Sequence, residues 1–267
     1  MNPRSVLLLG TGYTGEALLP LLQSRNITST RRTTPAAGSS GHHRLAFRLE
    51  DPSSWTDLPA SDATVWIVPA QPVELVRRFV RDAGAKLGRC VVIGSTSAYL
   101  GGKDRGSVTE QADLDENQER VLGEKFLMER GAIVLRSAGI YGPALGELPA
   151  RNPLDWLRAG RIASADDVVN LVHVADLAQS ILAALDSTVT GDHFIVSDGR
   201  PRRWGEIARW AREQGFVPHV HFPGGERRRP SRRLSNGKLL EVLAPELKHT
   251  DLYAELRRLE RGGQAGG

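Results

Sequence analysis

Short apolar runs alternate with stretches of helical periodicity through the first three quarters of the chain. The runs typical of strands lie at residues 6–9, 27–30, 45–49, 64–68, 90–93, 133–135, 168–172 and 192–196. Helical spacing of apolar residues lies between them, at 16–23, 73–85, 110–129 and 175–185. Strands that alternate with helices predict an α/β fold, in which helices cover both faces of a doubly wound parallel (Rossmann) sheet.

The pattern changes at about residue 199, where proline and glycine separate shorter helical stretches at 204–214, 237–243 and 252–259. We therefore expect a smaller C-terminal lobe beside the sheet. The predicted Rossmann core comprises residues 1–143 and 165–198, and the predicted substrate-binding lobe comprises residues 144–164 and 199–267.

Composition narrows the class of protein. Hydrophobic residues make up 40% of the 267 residues and charged residues 25%, which is ordinary for a folded domain and excludes a mainly disordered chain. No apolar run approaches the ~18 residues that span a membrane. One cysteine, Cys90, excludes an internal disulfide. These features predict a cytoplasmic protein with no membrane partner.

Positive charge is concentrated near the C-terminus. Residues 199–267 hold 15 Arg or Lys and 8 Asp or Glu, a net charge of +7. Five arginines fall within residues 227–233. This run has three interpretations: a clamp for a diphosphate, weak electrostatic affinity for nucleic acid, or a solvated loop. Because no aromatic residues are interleaved with the arginines, we expect no nucleic-acid partner.

A glycine motif follows the first predicted strand and opens the first helix. Residues 10–15 read GTGYTG, which is a G-x-G-x-x-G motif. In this context Gly10 permits a tight turn, Gly12 lets the backbone approach a pyrophosphate, and Gly15 lets helix and strand pack closely. The motif therefore predicts a dinucleotide-binding site.

The end of the second strand favours one dinucleotide over the other. NAD-binding folds carry an acidic residue there, about twenty residues after the first glycine, to bind the ribose 2′-hydroxyl. This chain has Arg31 and Arg32 instead. Since guanidinium groups match a 2′-phosphate, the sequence predicts NADP(H) rather than NAD(H). The alternative is that both arginines lie in a solvated loop.

Five segments in this order resemble one superfamily. They are GTGYTG at 10–15, GSTSAY at 94–99, LRSAGIYGP at 135–143, NLVHVADLA at 170–178 and RRLSN at 232–236. The chain resembles the short-chain dehydrogenase/reductase superfamily, in its extended NAD(P)-dependent epimerase/dehydratase branch. Within that branch it is most similar to small, atypical nucleotide-sugar-epimerase-like proteins. The similarity runs through nearly the whole chain.

The resemblance implies a catalytic serine at Ser95, which would polarise the substrate oxygen and also contact the cofactor. It further implies a Tyr-x-x-x-Lys pair on the following helix, which supplies the acid and base. That pair is missing. One alignment puts Glu116 and Arg120 at the two positions, spaced to lie on one helical face. They are either a substitute pair or a surface ion pair.

Two tyrosines are further candidates for the proton donor. Tyr141 belongs to a Tyr-Gly-Pro turn that the resemblance places near the nicotinamide, and Tyr99 follows the serine segment; packing is the alternative for both. The resemblance also assigns Tyr13, Thr14 and Pro69 to cofactor binding.

Together these features predict an NADP(H)-binding oxidoreductase or epimerase. Its substrate would be a nucleotide sugar or a related polar alcohol or carbonyl compound. The alternative is a non-catalytic NADP(H)-binding sensor or scaffold, which the missing pair favours. We expect no metal site, because the histidine pairs at 42–43 and at 219 and 221 lack a third ligand at a recognisable spacing. A homodimer is an expectation of the resemblance alone.

Overall fold

The architecture is seen in a computed structural model that describes residues 3–33, 42–100, 107–224 and 231–264. Its strands are β1 (Ser5–Leu9), β2 (Asn26–Arg31), β3 (His43–Ala46), β4 (Ala63–Trp66), β5 (Arg89–Ser95), β6 (Ser107–Val108), β7 (Ile133–Ser137), β8 (Gly139–Tyr141), β9 (Val168–Val169), β10 (Leu171–His173), β11 (His193–Val196), β12 (Arg202–Arg203) and β13 (Arg233–Leu234). Its α-helices are α1 (Gly12–Leu18), α2 (Val73–Ala83), α3 (Glu119–Met128), α4 (Pro153–Arg158), α5 (Val174–Asp186), α6 (Trp204–Glu213), α7 (Gly237–Val242) and α8 (Leu252–Gln264). Short 3₁₀ helices cover Leu19–Leu22, Pro52–Trp55, Gly84–Lys86 and Thr96–Ala98.

Seven parallel strands form the central sheet, in the order β3-β2-β1-β4-β5-β7-β11. Alternate side chains of β1 enter different cores. Val6 and Leu8 pack on the face covered by α1 and α5, and Leu7 and Leu9 pack on the face covered by α2 and α3. The predicted doubly wound α/β fold is confirmed. The strand order reverses between β1 and β4, and ligands of such sheets bind where the order reverses, at the carboxyl ends of the strands.

A third apolar cluster joins α4, α6 and α8 and includes Leu154, Leu157, Ile207, Leu252 and Leu256. These elements lie in the two stretches that the sequence assigns to the lobe. The exact division of the chain into core and lobe stays a prediction.

The predicted helix at 110–129 is wrong in its first half, because the helix begins at Glu119. Leu114 instead pairs with Tyr99 in an antiparallel bridge. The Asp115 carboxylate then accepts hydrogen bonds from the Asn117 backbone N–H at 3.3 Å and from the Gln118 side chain at 2.9 Å. These local bonds form a turn where periodicity predicted a helix.

The predicted strand at 168–172 is interrupted at Asn170. Its side-chain amide donates to the Arg232 carbonyl at 2.9 Å and accepts from the Leu234 N–H at 2.9 Å. The two halves, β9 and β10, therefore join different sheets, with β12 and β8 respectively. Helix α4 was not predicted.

Candidate functional site

The glycine turn after β1 is fastened to the end of β2. The Gly10 N–H donates to Thr30 Oγ1 at 2.8 Å. The Thr11 N–H and hydroxyl both donate to the Thr30 carbonyl, at 2.8 and 2.9 Å. Gly10 has φ +85°, and a Cβ there would lie 2.5 Å from a methyl carbon of Val68, which follows β4. The turn therefore lies at the reversal of strand order, where only glycine fits.

The second glycine of the motif faces open space. Gly12 has φ +47°, and apart from its chain neighbours and the backbone of its own helix, no atom of the described residues lies within 4 Å of the position that its Cβ would take. At Gly15, by contrast, a Cβ would meet Thr11 at 3.0 Å and Ile67 at 3.2 Å. Tight packing at the first and third glycines with room at the second fits a backbone cradle for a dinucleotide.

Two adjoining cavities form one cleft at this edge of the sheet. The first, about 940 Å³, is lined by Gly12, Tyr13 and Thr14 at one end. The second, about 1060 Å³, extends towards Asn170 and Arg232. Six of the described residues line both cavities: Ser95, Ser137, Ala138, Gly139, Trp156 and Arg161. The cleft is large enough for a dinucleotide and a second ligand side by side.

Ser95 and Ser137 lie opposite each other at the junction of the cavities. They are register partners at the ends of β5 and β7. The Ser95 hydroxyl oxygen accepts a hydrogen bond from the Ser97 N–H at 3.2 Å. That bond leaves the Ser95 proton available to a ligand oxygen. Ser137 was not predicted as a site residue, although it follows the Leu-Arg of the third matching segment.

A buried ion pair lies behind Ser95. The Arg136 Nε donates to Glu124 Oε2 at 2.8 Å, and the two side chains are 0% and 1% exposed. The Arg136 Nη1 also donates to the Tyr99 hydroxyl at 3.3 Å. Burial raises the pKa of the Glu124 carboxyl, and the Arg136 charge opposes this effect. Gly94 is required beside this pair, because a Cβ there would lie 2.5 Å from Glu124 Oε1.

Glu116 and Arg120 do not share a helical face, because Glu116 lies in the turn before α3. The expectation that both side chains lie on one helical face is therefore wrong. The Glu116 side chain is 62% exposed and pairs with Lys125 at 2.5 Å, whereas Arg120 lines the first cavity together with Ser95. Of the two residues, Arg120 alone is among the described residues that line a cavity with Ser95.

Both candidate tyrosines are fully buried. The Tyr141 hydroxyl donates to the His249 carbonyl at 3.3 Å, and burial raises its pKa far above the ordinary value. Burial also raises the pKa of Tyr99, to about 12. Neither tyrosine is among the described residues that line the cleft. Their role as proton donors stays a prediction that this placement does not favour.

The predicted 2′-phosphate residues are engaged in ion pairs at the end of β2. Arg31 pairs with Glu16 of α1, and Arg32 pairs with Glu50 at 2.6 Å. Pro69 is exposed and follows β4, at the same carboxyl edge of the sheet as the glycine turn. Of the arginine run, positions 227–229 lie outside the described residues. The Arg232 Nη1 donates to the Thr96 carbonyl at 3.0 Å, beside the second cavity.

Helix α4 contributes cleft residues that sequence reasoning missed: Arg151, Asn152, Asp155, Trp156 and Arg161 lie on or beside it. Two signals were available in the sequence, since Asn152 caps the helix by accepting from the Leu154 N–H at 3.0 Å and Pro153 is its first residue. Glu260 of α8 holds α4 in place. It accepts from the Asn152 side chain and from Arg158, both at 2.6 Å.

A histidine cluster that the sequence did not predict lies among described residues that line neither cavity. The rings of His173 and His249 stack with centroids 4.0 Å apart. Ligand atoms of these two residues and of Glu255 lie within 4.8 Å of one another. Glu255 also pairs with Arg258 at 2.5 Å, which opposes metal binding by its carboxylate. Burial lowers the pKa of His173 to about 3.

No helix in the described part of the chain is long and apolar enough to cross a membrane.

No protein-family model and no curated protein matches the chain. Solved structures do match over nearly its full length. One is described as an NAD-dependent epimerase/dehydratase from Methylobacillus flagellatus, with 24% identity, a TM-score of 0.76, and coverage of 98% of this chain and 99% of that chain.

Two further similar structures contain ligands. MoeE5 in complex with UDP-glucose and NAD has 17% identity and a TM-score of 0.76, with 98% of this chain and 99% of that chain covered. A short-chain dehydrogenase/reductase superfamily protein from Agrobacterium tumefaciens with bound NAD also has 17% identity. Its TM-score is 0.77, with 98% of this chain and 97% of that chain covered. The chain therefore has the Rossmann fold of epimerase/dehydratase and short-chain dehydrogenase/reductase proteins.

Proposed function

We propose that the protein binds NADP(H) in the first cavity and a nucleotide sugar, or a related polar alcohol or carbonyl compound, in the second. The observation that carries this proposal is the continuity of the two cavities at Ser95 and Ser137, with the open position of Gly12 at the far end. The similar protein MoeE5 is described with UDP-glucose and NAD, which supports this pairing of ligands.

Backbone groups of the glycine turn, residues 10–15, would hold the cofactor's pyrophosphate, with Tyr13 and Thr14 lining the same cavity. Arg31 and Arg32 would bind the 2′-phosphate. Each is already paired with a glutamate, so each guanidinium would share its hydrogen bonds between a carboxylate and the phosphate. NADPH is therefore the favoured cofactor, and Pro69 would border the site.

The bound cofactor supplies hydride chemistry. On the protein's side, the Ser95 hydroxyl would donate to the substrate oxygen, and the Arg120 cation would lower the energy of negative charge on that oxygen. Both residues line the first cavity. Glu116 and Tyr141 stay predictions, because the first is exposed and the second is enclosed. A homodimer and a cytoplasmic location likewise stay predictions from the sequence.

A second candidate function is a non-catalytic NADP(H)-binding protein. The described residues that line the cleft include no lysine, histidine, cysteine or glutamate. The one tyrosine among them, Tyr13, donates its hydroxyl to the Pro143 carbonyl at 2.8 Å, and burial raises its pKa to about 12. A cleft of this composition is well suited to binding anions and poor in groups that exchange protons near neutral pH.

Thermal unfolding in the presence of NADPH or NADH tests cofactor binding. A ligand at a hundred times its Kd adds ~2.7 kcal/mol to the free energy of unfolding, which raises the Tm by about 5 °C for a chain of this length. We expect this rise with NADPH, a rise about half as large in Arg31→Ala because tenfold weaker binding leaves ~1.4 kcal/mol, and the full rise in the exposed control Arg209→Ala. No rise with either cofactor would refute the proposal.

A second measurement separates the enzyme from the non-catalytic protein. Nicotinamide absorbance is followed after adding NADP⁺ and UDP-glucose, and sugar products are followed by chromatography to detect an epimerase that recycles its cofactor. We expect turnover that falls at least about a hundredfold in Ser95→Ala, while the Kd for NADPH rises by less than about tenfold. Equal turnover in the wild type and in Ser95→Ala would refute the catalytic role of Ser95.

A further inference from the structure

One arginine of the substrate lobe lies over the glycine turn. The guanidinium carbon of Arg151 is 4.5 Å from the centroid of the Tyr13 ring, and both residues line the first cavity. Tyr13 directly follows Gly12, whose Cβ position faces open space. Arg151 is therefore placed at the end of the cavity where a dinucleotide's phosphates would approach the backbone.

Arg151 and Tyr13 are both hydrogen-bonded to the same turn, at Gly142 and Pro143. The Arg151 N–H donates to the Gly142 carbonyl at 2.9 Å, and the Gly142 N–H donates to the Arg151 carbonyl at 3.1 Å. The Tyr13 hydroxyl donates to the carbonyl of the next residue, Pro143, at 2.8 Å. A guanidinium that stacks on an aromatic face keeps its N–H groups, which lie at the edge of the plane, free to bind phosphate oxygens.

The Arg151 side chain is exposed, which leaves its guanidinium accessible to a ligand. Arg151 forms no salt bridge within the described residues, where its guanidinium stacks on the Tyr13 ring. Asp155, the carboxylate that lines the same cavity, is paired with Arg158 at 2.7 Å. Among the described residues, two other arginines line the first cavity: Arg120 belongs to α3, and Arg161 also lines the second cavity.

We propose that Arg151 binds the pyrophosphate of the dinucleotide cofactor, from the side opposite the glycine turn. This inference rests on the proposed binding of NADP(H) and adds to it a contact from outside the sheet. The pyrophosphate would be held between backbone N–H groups on one side and a stacked guanidinium on the other. Cofactor binding would then also restrain the segment that leads into α4.

Calorimetric titration of NADPH into Arg151→Ala, Arg151→Lys and the wild type tests this contact. Loss of a charge-assisted hydrogen bond weakens binding by at least about tenfold. We expect that loss in Arg151→Ala and a smaller one in Arg151→Lys, which keeps the charge without the planar fork. The control Arg209→Ala removes an exposed positive charge from α6 and should bind NADPH like the wild type.

Adenosine 2′-monophosphate, which lacks the pyrophosphate, is the second probe. Its Kd should change less than about twofold in Arg151→Ala, because the contact it would lose is absent from this ligand. If the wild type binds NADPH and Arg151→Ala binds it equally well, the Arg151 contact is refuted and the proposed function stands. If the wild type binds neither NADPH nor NADH, both proposals fail. Equal weakening for the two ligands would indicate a general effect of charge and would also refute the contact.

Discussion

Replacing Glu124 by glutamine would leave the Arg136 charge buried without its counter-ion. The two side chains are 1% and 0% exposed, and the pair is joined at 2.8 Å. Breaking a buried pair by removing one partner costs about 3–5 kcal/mol. We expect about 3 kcal/mol, because the glutamine oxygen can still accept a hydrogen bond from the Arg136 Nε. With an unfolding entropy of ~2.1 cal/mol/K per residue, the Tm falls by about 5 °C.

The matched control is Glu116→Gln, which also replaces the glutamate of an ion pair by glutamine. The partner of Glu116 is Lys125. Its carboxylate is 62% exposed, so its ion pair contributes at most about 1 kcal/mol and the Tm changes by less than about 2 °C. Differential scanning calorimetry compares the two variants. The double variant Glu124→Gln/Arg136→Met should recover stability, since it removes the unpaired charge. A Tm for Glu124→Gln equal to that of Glu116→Gln would refute the reasoning.

Three further outcomes follow from the site and its surroundings. Gly12→Ala, at φ +47°, should lower the free energy of unfolding by about 1–2 kcal/mol and abolish the NADPH-dependent rise in Tm, since its Cβ enters the open space of the first cavity. Tyr141→Phe should leave turnover unchanged within about twofold in a steady-state assay, and a hundredfold loss would restore this tyrosine as proton donor. His173 has its pKa lowered from 6.5 to about 3, so the folded state resists a proton that the unfolded state accepts. The contribution of neutral His173 to the free energy of unfolding is then fully present above pH 6.5. As the pH decreases from 6.5, this free energy decreases by up to ~1.4 kcal/mol per pH unit. In urea titrations at pH 7 and pH 5, His173→Asn should show a smaller loss than the wild type. Equal losses would contradict the assignment.

Local pattern was sufficient to predict the sheet and the glycine turn. Strand and helix periods differ, and the motif depends on three positions within six residues of sequence, so both are visible without tertiary information. The start of α3 was not predictable in this way. It is decided by the bridge between Leu114 and Tyr99, which joins segments on either side of an intervening stretch of chain, and periodicity does not record such a contact.

The cleft was less predictable than the fold. It is lined both by residues at the edge of the sheet and by residues on or beside α4, which are far apart in the sequence. Helix α4 has six residues, too few for a periodic signal. Arg151 was not recognisable as a site residue because it stacks on the ring of Tyr13, which lies 138 positions earlier in the chain. Ser95 and Arg120 were predicted from the resemblance and do line one cavity, whereas Glu116 lies before the helix on which it was expected, and its catalytic role stays a prediction.

The hydrogen bond between Asn152 and Glu260 joins residues that are 108 positions apart. On a growing chain, all seven strands of the sheet are synthesised by Val196, well before α8. The sheet can therefore assemble while the wall formed by α4 still lacks its anchor. Long-range contacts of this kind form late, because closing a long loop costs entropy before the contact repays it. The order of synthesis thus places the glycine turn first and the completed cleft last.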